Sequence, residues 1–469
     1  MRSSESLTVP IELDRTGRRP LQEQLAEQLA AAVDRGLLDH GCRLPSTRTL
    51  AERLHVSRGV ALAAYEILYA RGYLEGRHGS GSYVARRPAG LPTPCAPPAA
   101  GADRVDCTPG QATGEGFPLA AWRAAWRHAS FQPPPVSDLP RGGLPELRRA
   151  VAGHLRRTRG LVCGEHQVLI TAGLPHGLRL ALDALGRPGG RVAVQDPAPP
   201  VLRQVVGDGG HPVVALPVDR DGSWTGTVPP ACAAVVVSPD GVAPHGAVVS
   251  ALRRQQLADW ARREDGQLLV EVVGDHVAPR AAPLPRLLHL AGPRTALVGD
   301  FRALFAPSLR VGYALLHRDL LGNLDRAPRR DDEQPSHVAQ SAMAHLLDGG
   351  HVVRRVHQLG RLFERKDALV RAALTSLAPA VRPAPAGAPG VVVAHLPDRL
   401  DAERVRVELL GRGVVVPTLA SYHLPGRPAG NGLVLGHGHL PERALRTALD
   451  ELIAVLSAEH TAADRAIGL

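Results

Sequence analysis

Lysine, the residue type that can form a Schiff base, is scarce in this chain of 469 residues. The chain contains one lysine, Lys366, in the stretch RLFERKDALV. A lysine amine can form a Schiff base and can act as acid or base, whereas an arginine guanidinium stays protonated and is not a usable nucleophile. The stretch has the pattern of an amphipathic charged helix, which favours a solvated surface position for Lys366.

Signals for metal binding and for other nucleophiles are also weak. His437 and His439 are two residues apart, and therefore lie on one face of a predicted strand, but no third ligand is evident and we expect surface positions for both. The five cysteines are scattered and without C-x-x-C spacing, which predicts reduced thiols. A G-x-S-x-G nucleophile elbow is absent. We therefore predict no metal site and no catalytic residue.

Composition narrows the class of protein. A hydrophobic content of 44% with 21% charged residues is typical of a soluble globular chain, and the length predicts two or three domains. The formal net charge of +10 suits a polyanionic partner. No window offers about 18 uninterrupted apolar residues, and the first residues lack a signal-peptide pattern. We expect a cytoplasmic protein without a membrane segment.

The chain divides into four segments. Residues 1–87 form a first domain, and the Pro/Ala-rich residues 88–105 read as a semi-extended linker. Residues 106–330 alternate short apolar runs with helical stretches, which predicts an α/β domain with a parallel sheet covered on both faces. Residues 331–469 predict a smaller α+β domain. The predicted strands are VLITAG, RVAVQD, AAVVVSP, LLVEVV and ALVGDF in the larger domain, and VVVAHLP, GVVVPT and GLVLGHG in the smaller one.

The first domain has the pattern of three helices and a β-hairpin. Apolar residues recur at helical spacing after Pro20 as far as Gly36. Ser46 is a good N-cap for a second helix, and Ser57 for a third that ends near Gly72. Alternating residues around a Gly-rich tip in YLEGRHGSGSYVARR then predict a hairpin. Two short helices joined by so brief a turn indicate a winged helix-turn-helix.

This stretch, from PLQEQLAEQL through PSTRTLAERLHVSRGVALAAYEILYARGYLEGRHGSGSYVA, resembles the winged helix-turn-helix of the GntR family of bacterial transcription regulators. The resemblance implies that the third helix lies in the major groove of double-stranded DNA, with the wing tip near the minor groove. The residues it implies in DNA binding are Arg43, Ser46, Arg48, Ser57, Arg58, His78 and Gly79. The domain departs from relatives at Gly59, Val60 and Ala63, so we expect sequence readout to rest mainly on Arg58 and the wing.

The remainder resembles the aminotransferase-like domain of fold type I, and the order of winged helix, linker and this domain is that of the MocR subfamily. LPRGGLPELRRAVAGHLRRTRGLVCGEHQVLITAG and VGDFRALFAPSLRVGY carry the resemblance. In such domains backbone amides and an arginine hold the phosphate of pyridoxal phosphate. The resemblance implies a remnant of this phosphate cradle at Ala172, Gly173 and Arg310.

Ala303 stands where the family has the lysine that holds pyridoxal phosphate as a Schiff base. Neighbouring Arg302 cannot replace it. Further positions of the cofactor and substrate site are changed, namely Pro199, Gly241, Val272, Gly274 and Val434. Because the lysine is both the anchor and the acid–base group of this cofactor, we predict an inactive domain in which pyridoxal phosphate is absent or weakly and noncovalently held.

The sequence thus predicts a DNA-binding transcription regulator, homodimeric as fold type I domains are. Its pocket is either vestigial or holds a small anionic or phosphorylated effector noncovalently. Two other functions stay open. One is an active aminotransferase with a fused DNA-binding module, and the other is a scaffold protein that has lost DNA binding, as Gly59 and Ala63 would allow.

Overall fold

The structure, a computed structural model, falls into two units, Met1–Ala100 and Gly101–Leu469. It describes residues 9–467 except 16–18, 78–80, 86–103, 134, 220, 224–227, 230, 242, 264–267, 275–283, 327–333, 378–380, 385–387 and 428. None of the described helices combines the length and the apolarity that a membrane-spanning segment needs. Each unit has its own buried apolar clusters and is described by itself.

The first unit consists, in its described part, of three helices and a hairpin. These are α1 (Leu21–Asp34), α2 (Thr47–Leu54), α3 (Arg58–Ala70), β1 (Leu74–Arg77) and β2 (Gly81–Val84). Leu25, Leu29, Leu50 and Leu68 lie in one apolar cluster and are at most 1% exposed. The helices begin and end where the sequence predicts, because the signals are local: Ser46 and Ser57 are the N-caps of α2 and α3.

The hairpin is antiparallel, with Leu74 opposite Val84 and Arg77 opposite Gly81. It is tied to the helices by polar contacts. The hydroxyl of Tyr69 in α3 donates to Ser82 Oγ of the hairpin at 2.7 Å. The Tyr65 hydroxyl holds α3 against the segment before α2, because it donates to the carbonyl oxygen of Pro45 at 2.8 Å. The hairpin therefore has a fixed position against α3, as a wing requires.

The second unit contains the remaining described α-helices and β-strands. In chain order they are β3 (Val105–Asp106), α4 (Leu119–Ser130), α5 (Pro145–Arg159), β4 (Val168–Thr171), α6 (Leu174–Leu185), β5 (Arg191–Asp196), α7 (Pro200–Asp208), β6 (Val213–Asp219), β7 (Gly222–Ser223), β8 (Cys232–Val237), α8 (Ala251–Arg263), β9 (Leu268–Gly274), α9 (Leu287–Ala291), β10 (Thr295–Asp300), β11 (Gly312–Leu315), α10 (Arg318–Arg326), α11 (His337–Asp348), α12 (His351–Thr375), β12 (Arg382–Pro383), β13 (Val391–His395), α13 (Ala402–Gly411), β14 (Val414–Val415), β15 (Gly432–Gly436) and α14 (Glu442–Ile467).

The sheet of this unit has the order β4-β11-β10-β9-β8-β5-β6-β7. Its centre is parallel, while β11 runs antiparallel to both of its neighbours and β7 runs antiparallel to β6. Every residue of β8 is buried, and helices α6 and α8 contribute to apolar clusters that contain different residues of this strand. The prediction of a sheet covered on both faces is confirmed.

The C-terminal strands form a smaller sheet of order β12-β13-β15, antiparallel throughout. The predicted strand GVVVPT differs from the sequence prediction. Only its first part is extended as β14, and β14 pairs in parallel with β3. The start of this unit is thereby held by residues near its end.

The boundary predicted between residues 330 and 331 stays a prediction. The first helix after it, α11, contributes Met343 and Leu346 to the apolar cluster that also contains Leu147 of α5 and Ala125 of α4. All four side chains are fully buried. The long helix α12 follows and contributes to this cluster and, through Val370 and Leu374, to the cluster of the smaller sheet.

The predicted surface position of Lys366 is wrong. The residue is 2% exposed. Its ammonium forms an ion pair with Glu115 and donates to the carbonyl oxygens of Gly438 and Leu440. Helical periodicity places a charged residue on the outside, but α12 is covered on this side by chain segments that are distant in sequence.

The prediction of surface positions for His437 and His439 is also wrong. His437 is fully buried after the end of β15. His439 is partly buried and donates from Nε2 to the carbonyl oxygen of Asp106 at 2.7 Å. Burial lowers the pKa of His439, and the hydrogen bond to the backbone only partly offsets this effect.

Candidate functional site

Helices α2 and α3 begin at exposed serines. Ser46 Oγ accepts a hydrogen bond from the Thr49 amide at 3.1 Å, and Ser57 Oγ accepts one from the Val60 amide at 3.3 Å. Each serine satisfies one of the first amides of its helix, whose N-terminal end carries partial positive charge. Both Ser46 and Ser57 are exposed, so these two helix starts are open to an anion such as a DNA phosphate.

The exposed face of α3 is formed by residues one helical turn apart. Arg58 is the first residue of the helix and is exposed, as is Gly59, whereas Val60 and Ala63 are half-buried. Leu62 is 48% exposed, and Glu66 is exposed one turn further along. Leu62 and Glu66 are not among the residues predicted from the sequence, although the helical spacing of 58, 62 and 66 indicates them.

Two of the predicted DNA-binding arginines, Arg43 and Arg48, precede α3 in the chain. The Arg48 side chain is 80% exposed and forms an ion pair with Glu52 at 3.1 Å, which is worth little in water. Arg43 pairs through its backbone with Tyr83 of the wing. Gly81 has φ +114, and a Cβ there would lie 3.2 Å from Arg43 Nε, so a glycine lets the guanidinium lie along the wing. The predicted His78 and Gly79 fall outside the described residues.

The second unit contains a cavity of about 620 Å³. It lies near the ends of β4, β8 and β10 and extends to the smaller sheet. Its walls are mainly apolar and include Leu174, Pro199, Val201, Phe363 and Val391. Its polar lining includes Ser238, Asp300, Arg302, Tyr422 and His439. Burial raises the pKa of the Tyr422 phenol to about 12, which keeps that group neutral and able to donate a hydrogen bond.

One end of this cavity is the start of α6. The Ala172 amide donates to Nδ1 of His176 at 3.1 Å. The Leu174 amide donates to Oδ2 of Asp300 at 3.2 Å. Pro175 is next in the chain and has no amide hydrogen to offer. The helix start therefore presents a carboxylate and an imidazole where the sequence analysis expected open amides.

Asp300 ends β10 and its side chain is 14% exposed. Its Oδ1 accepts from the Arg302 amide at 3.3 Å, and its Oδ2 lies 3.6 Å from the Arg302 guanidinium, which is 41% exposed. Asp300 is not among the residues predicted from the sequence, because its contact with α6 joins residues 126 positions apart.

Ala303 lines the cavity beside Arg302, at the predicted position of the missing lysine. The loop that contains Ala303 is anchored to α12, because the Leu304 carbonyl oxygen accepts a hydrogen bond from Nε of the buried Arg355 at 3.0 Å. Arg310 differs from the prediction. It is exposed, has a left-handed backbone with φ 46, and is not among the described residues that line the cavity. Of the four predicted residues, Ala303 lines the cavity, and Ala172 and Gly173 directly precede the lining residue Leu174 in the chain, whereas Arg310 is not among the described lining residues.

Two of the changed positions have a physical reason. Gly241 has φ +110, and a Cβ there would lie 2.8 Å from the carbonyl oxygen of Gly246, so this turn accepts no polar side chain. Val434 is fully buried in β15 and packs with Leu419 and Tyr422. An arginine in its place would have to be accommodated in an apolar cluster.

Comparisons of the sequence agree with the reading of the first unit. The family described as "Bacterial regulatory proteins, gntR family" matches residues 21–84. The chain is 32% identical over 455 residues to the HTH-type pyridoxine biosynthesis transcriptional regulator PdxR of Corynebacterium glutamicum, covering 96% of this chain and 99% of the relative. It is 28% identical over 470 residues to the probable rhizopine catabolism regulatory protein MocR of Rhizobium meliloti, covering 94% of each.

Solved structures resemble the second unit. A crystal structure of an archaeal alanine:glyoxylate aminotransferase superposes with a TM-score of 0.69 at 21% identity, covering 76% of this chain and 92% of that one. The α-aminoadipate aminotransferase LysN of Thermus thermophilus gives a TM-score of 0.67 at 22% identity, covering 77% and 94%. These similarities show the fold. Together with the full-length regulators, they establish that the chain belongs to the GntR family of transcription regulators, in the MocR-type group that joins a winged helix-turn-helix to an aminotransferase-like domain.

Proposed function

We propose that this regulator reads its operator with α3 and the wing while its aminotransferase-like unit performs no catalysis. The observation that carries the proposal is the lining of the cavity, where Ala303 takes the place of the lysine that the cofactor chemistry needs. Arg302 beside it is no substitute, because its guanidinium stays protonated. Lys366 is engaged by Glu115 and two backbone carbonyls, so its amine is already committed.

In the DNA complex, Arg58 is the residue we assign to a base edge in the major groove. It is the first residue of α3, and the N-terminal residues of a recognition helix are those that reach the bases. Arg43 and Arg48, with the capped starts of α2 and α3, are assigned to the phosphates. We assign Leu62 to contact with a thymine methyl group, whereas the carboxylate of Glu66 disfavours any phosphate near it.

A homodimer completes the proposal. We base it on the fold, because aminotransferase-like domains of fold type I form homodimers. Exposed apolar side chains on the second unit are compatible with a dimer. Phe131, Val136 and Val162 lie after α4 and α5 and are 86%, 105% and 84% exposed, respectively. Exposed apolar side chains of this size are candidates for an interface. The two winged helix-turn-helix domains of the dimer would then bind two half-sites of the operator.

A footprint on the DNA upstream of the gene, with and without pyridoxal phosphate, tests this function. Two spaced protected half-sites that are the same with and without the cofactor are the expected result. Protection no stronger than that on unrelated DNA would favour the scaffold function, for which Gly59 and Glu66 on the exposed face of α3 are the structural argument. Light scattering at micromolar concentration checks the dimer, and a monomer would contradict it.

Catalytic inactivity has its own test. The full-length protein is incubated with pyridoxal phosphate, freed of excess cofactor and examined for the visible absorption band of a lysine-held cofactor. No band is expected. A stable band, together with transfer of an amino group from an amino acid to a keto acid, would instead establish an aminotransferase with a fused DNA-binding module.

A further inference from the structure

The positive end of α6 is where a phosphate group would have to bind in the second unit. Helix N-termini attract phosphate through their free amides and their partial positive charge. At the start of α6, three positions have no amide hydrogen free to bind a phosphate. Leu174 donates to Asp300, Pro175 has no amide hydrogen, and the preceding Ala172 amide donates to His176. Few donors are left for a ligand.

Asp300 also places a negative charge at the start of α6. Its carboxylate accepts from the amides of Leu174 and Arg302, and its side chain is 14% exposed. Oδ2 lies 3.8 Å from the position that a Cβ on Gly173 would take, so the negative charge is at the helix start itself. A phosphate placed there would meet a carboxylate at short range, in a partly buried site where repulsion is weakly screened.

The residues present therefore do not fit pyridoxal phosphate. Arg302 does not restore the balance, because its guanidinium is 41% exposed and already lies 3.6 Å from the same carboxylate. Arg310, the predicted phosphate-binding arginine, is exposed and is not among the described residues of the cavity lining. The remaining walls are apolar, with Leu174, Pro199, Val201 and Val391 among them.

We infer that the Asp300 carboxylate occupies the place of the cofactor phosphate. The carboxylate holds the start of α6 and excludes phosphorylated ligands from the cavity. A ligand of this cavity then carries no phosphate group and binds mainly through apolar contacts. This replaces the phosphorylated effector that the sequence suggested. The inference rests on the proposed loss of lysine-held cofactor, but concerns a different residue and can fail separately.

The test is calorimetry on the full-length protein with inorganic phosphate and with pyridoxine phosphate, which has no aldehyde and cannot form a Schiff base. The unchanged protein should give no saturable heat at millimolar ligand. Asp300→Ser should lower the Kd for phosphate at least about tenfold, because removing a like charge at contact distance is worth that much or more. Asp300→Asn should gain less, because its side-chain oxygen still occupies the Leu174 amide.

Asp319→Asn is the matched control. It removes the same charge from a carboxylate of this unit that is 79% exposed and lies in α10. An equal gain in Asp319→Asn would reduce the effect to net charge and overturn the inference. Saturable phosphate binding by the unchanged protein at submillimolar Kd would also overturn it, and this result does not depend on the folding of any variant.

A second measurement separates this inference from the proposed function. Ala303→Lys should remain without a visible band in pyridoxal phosphate, whereas the double variant Asp300→Ser, Ala303→Lys should gain one. A band in Ala303→Lys as strong as in the double variant would overturn the role of Asp300 and leave the proposed function intact. A band in the unchanged protein would instead contradict the proposed catalytic inactivity.

Discussion

Charged side chains are used in opposite ways in the two units. In the winged helix-turn-helix, Arg48 and Arg58 are exposed and the starts of α2 and α3 are open. In the aminotransferase-like unit, Lys366 and Arg355 are at most 2% exposed, and Asp300 closes the start of α6. The same elements, a helix start and a cation, can therefore serve recognition in one unit and internal structure in the other. Accessibility decides which role applies.

The largest effect should come from a buried cation. Lys366→Met should lower the free energy of unfolding of the aminotransferase-like unit by about 3 kcal/mol, because Glu115 and two carbonyl oxygens lose their donor. Tryptophan fluorescence in a urea titration measures it, since all four tryptophans follow residue 100. Arg365→Met, at the neighbouring exposed position, is the control and should change little. Equal effects would mean that burial does not set the role of Lys366.

An exposed cation should affect binding instead. Arg58→Ala should weaken operator binding by about 2 kcal/mol for each half-site, the cost of one base contact, with little change on unrelated DNA. Arg71→Ala removes the same charge at the opposite end of α3 and serves as control. Competition binding at fixed salt measures both. Normal discrimination by Arg58→Ala would remove this residue from the reading role.

Low pH should reduce the stability of the aminotransferase-like unit through a buried histidine. Burial, followed by the charges of His395 and His423, lowers the pKa of His245 to about 4 from an ordinary 6.5. Between these values the unfolded chain binds more protons than the folded one, so stability falls as pH drops from 6.5 towards 4. His245→Phe should keep the stacking on His395 and reduce this loss. Tryptophan-monitored urea midpoints at about pH 7 and about pH 5 test it. A pH slope identical to that of the unchanged protein would exclude His245, and His317→Gln is the control at a more exposed site.

The smallest effect concerns the capping of α3. Ser57→Ala should cost about 1 kcal/mol of local stability, because the Val60 amide loses its partner. Hydrogen exchange of α3 amides measures the change, and Ser57→Thr should retain most of the protection. Faster exchange throughout the aminotransferase-like unit would contradict a local origin.

The sequence predicted the first unit better than the cavity, and the physical reason is the range of the interactions. Ser46 and Ser57 cap helices through amides three residues away, so a local pattern identifies them. The alanine at position 303, where the resemblance predicts a lysine, could likewise be read from one segment. The roles of Asp300 and Lys366 depend on partners 126 and 251 residues away. Periodicity places a residue on an element, but only the packed chain shows what covers it.

The pairing of β3 with β14 also has a consequence for the order of biosynthesis. The β3 residue Asp106 also accepts a hydrogen bond at its carbonyl oxygen from His439, which follows β14 and lies 333 residues later in the chain than Asp106. At a translation rate of about 5 to 20 residues per second, this partner emerges roughly 15 to 70 seconds after Asp106. The winged helix-turn-helix, whose matched residues end at 84, is complete well before that. In a nascent chain, the winged helix-turn-helix is thus fully synthesised while β3, the first strand of the other unit, still lacks its pairing partner β14.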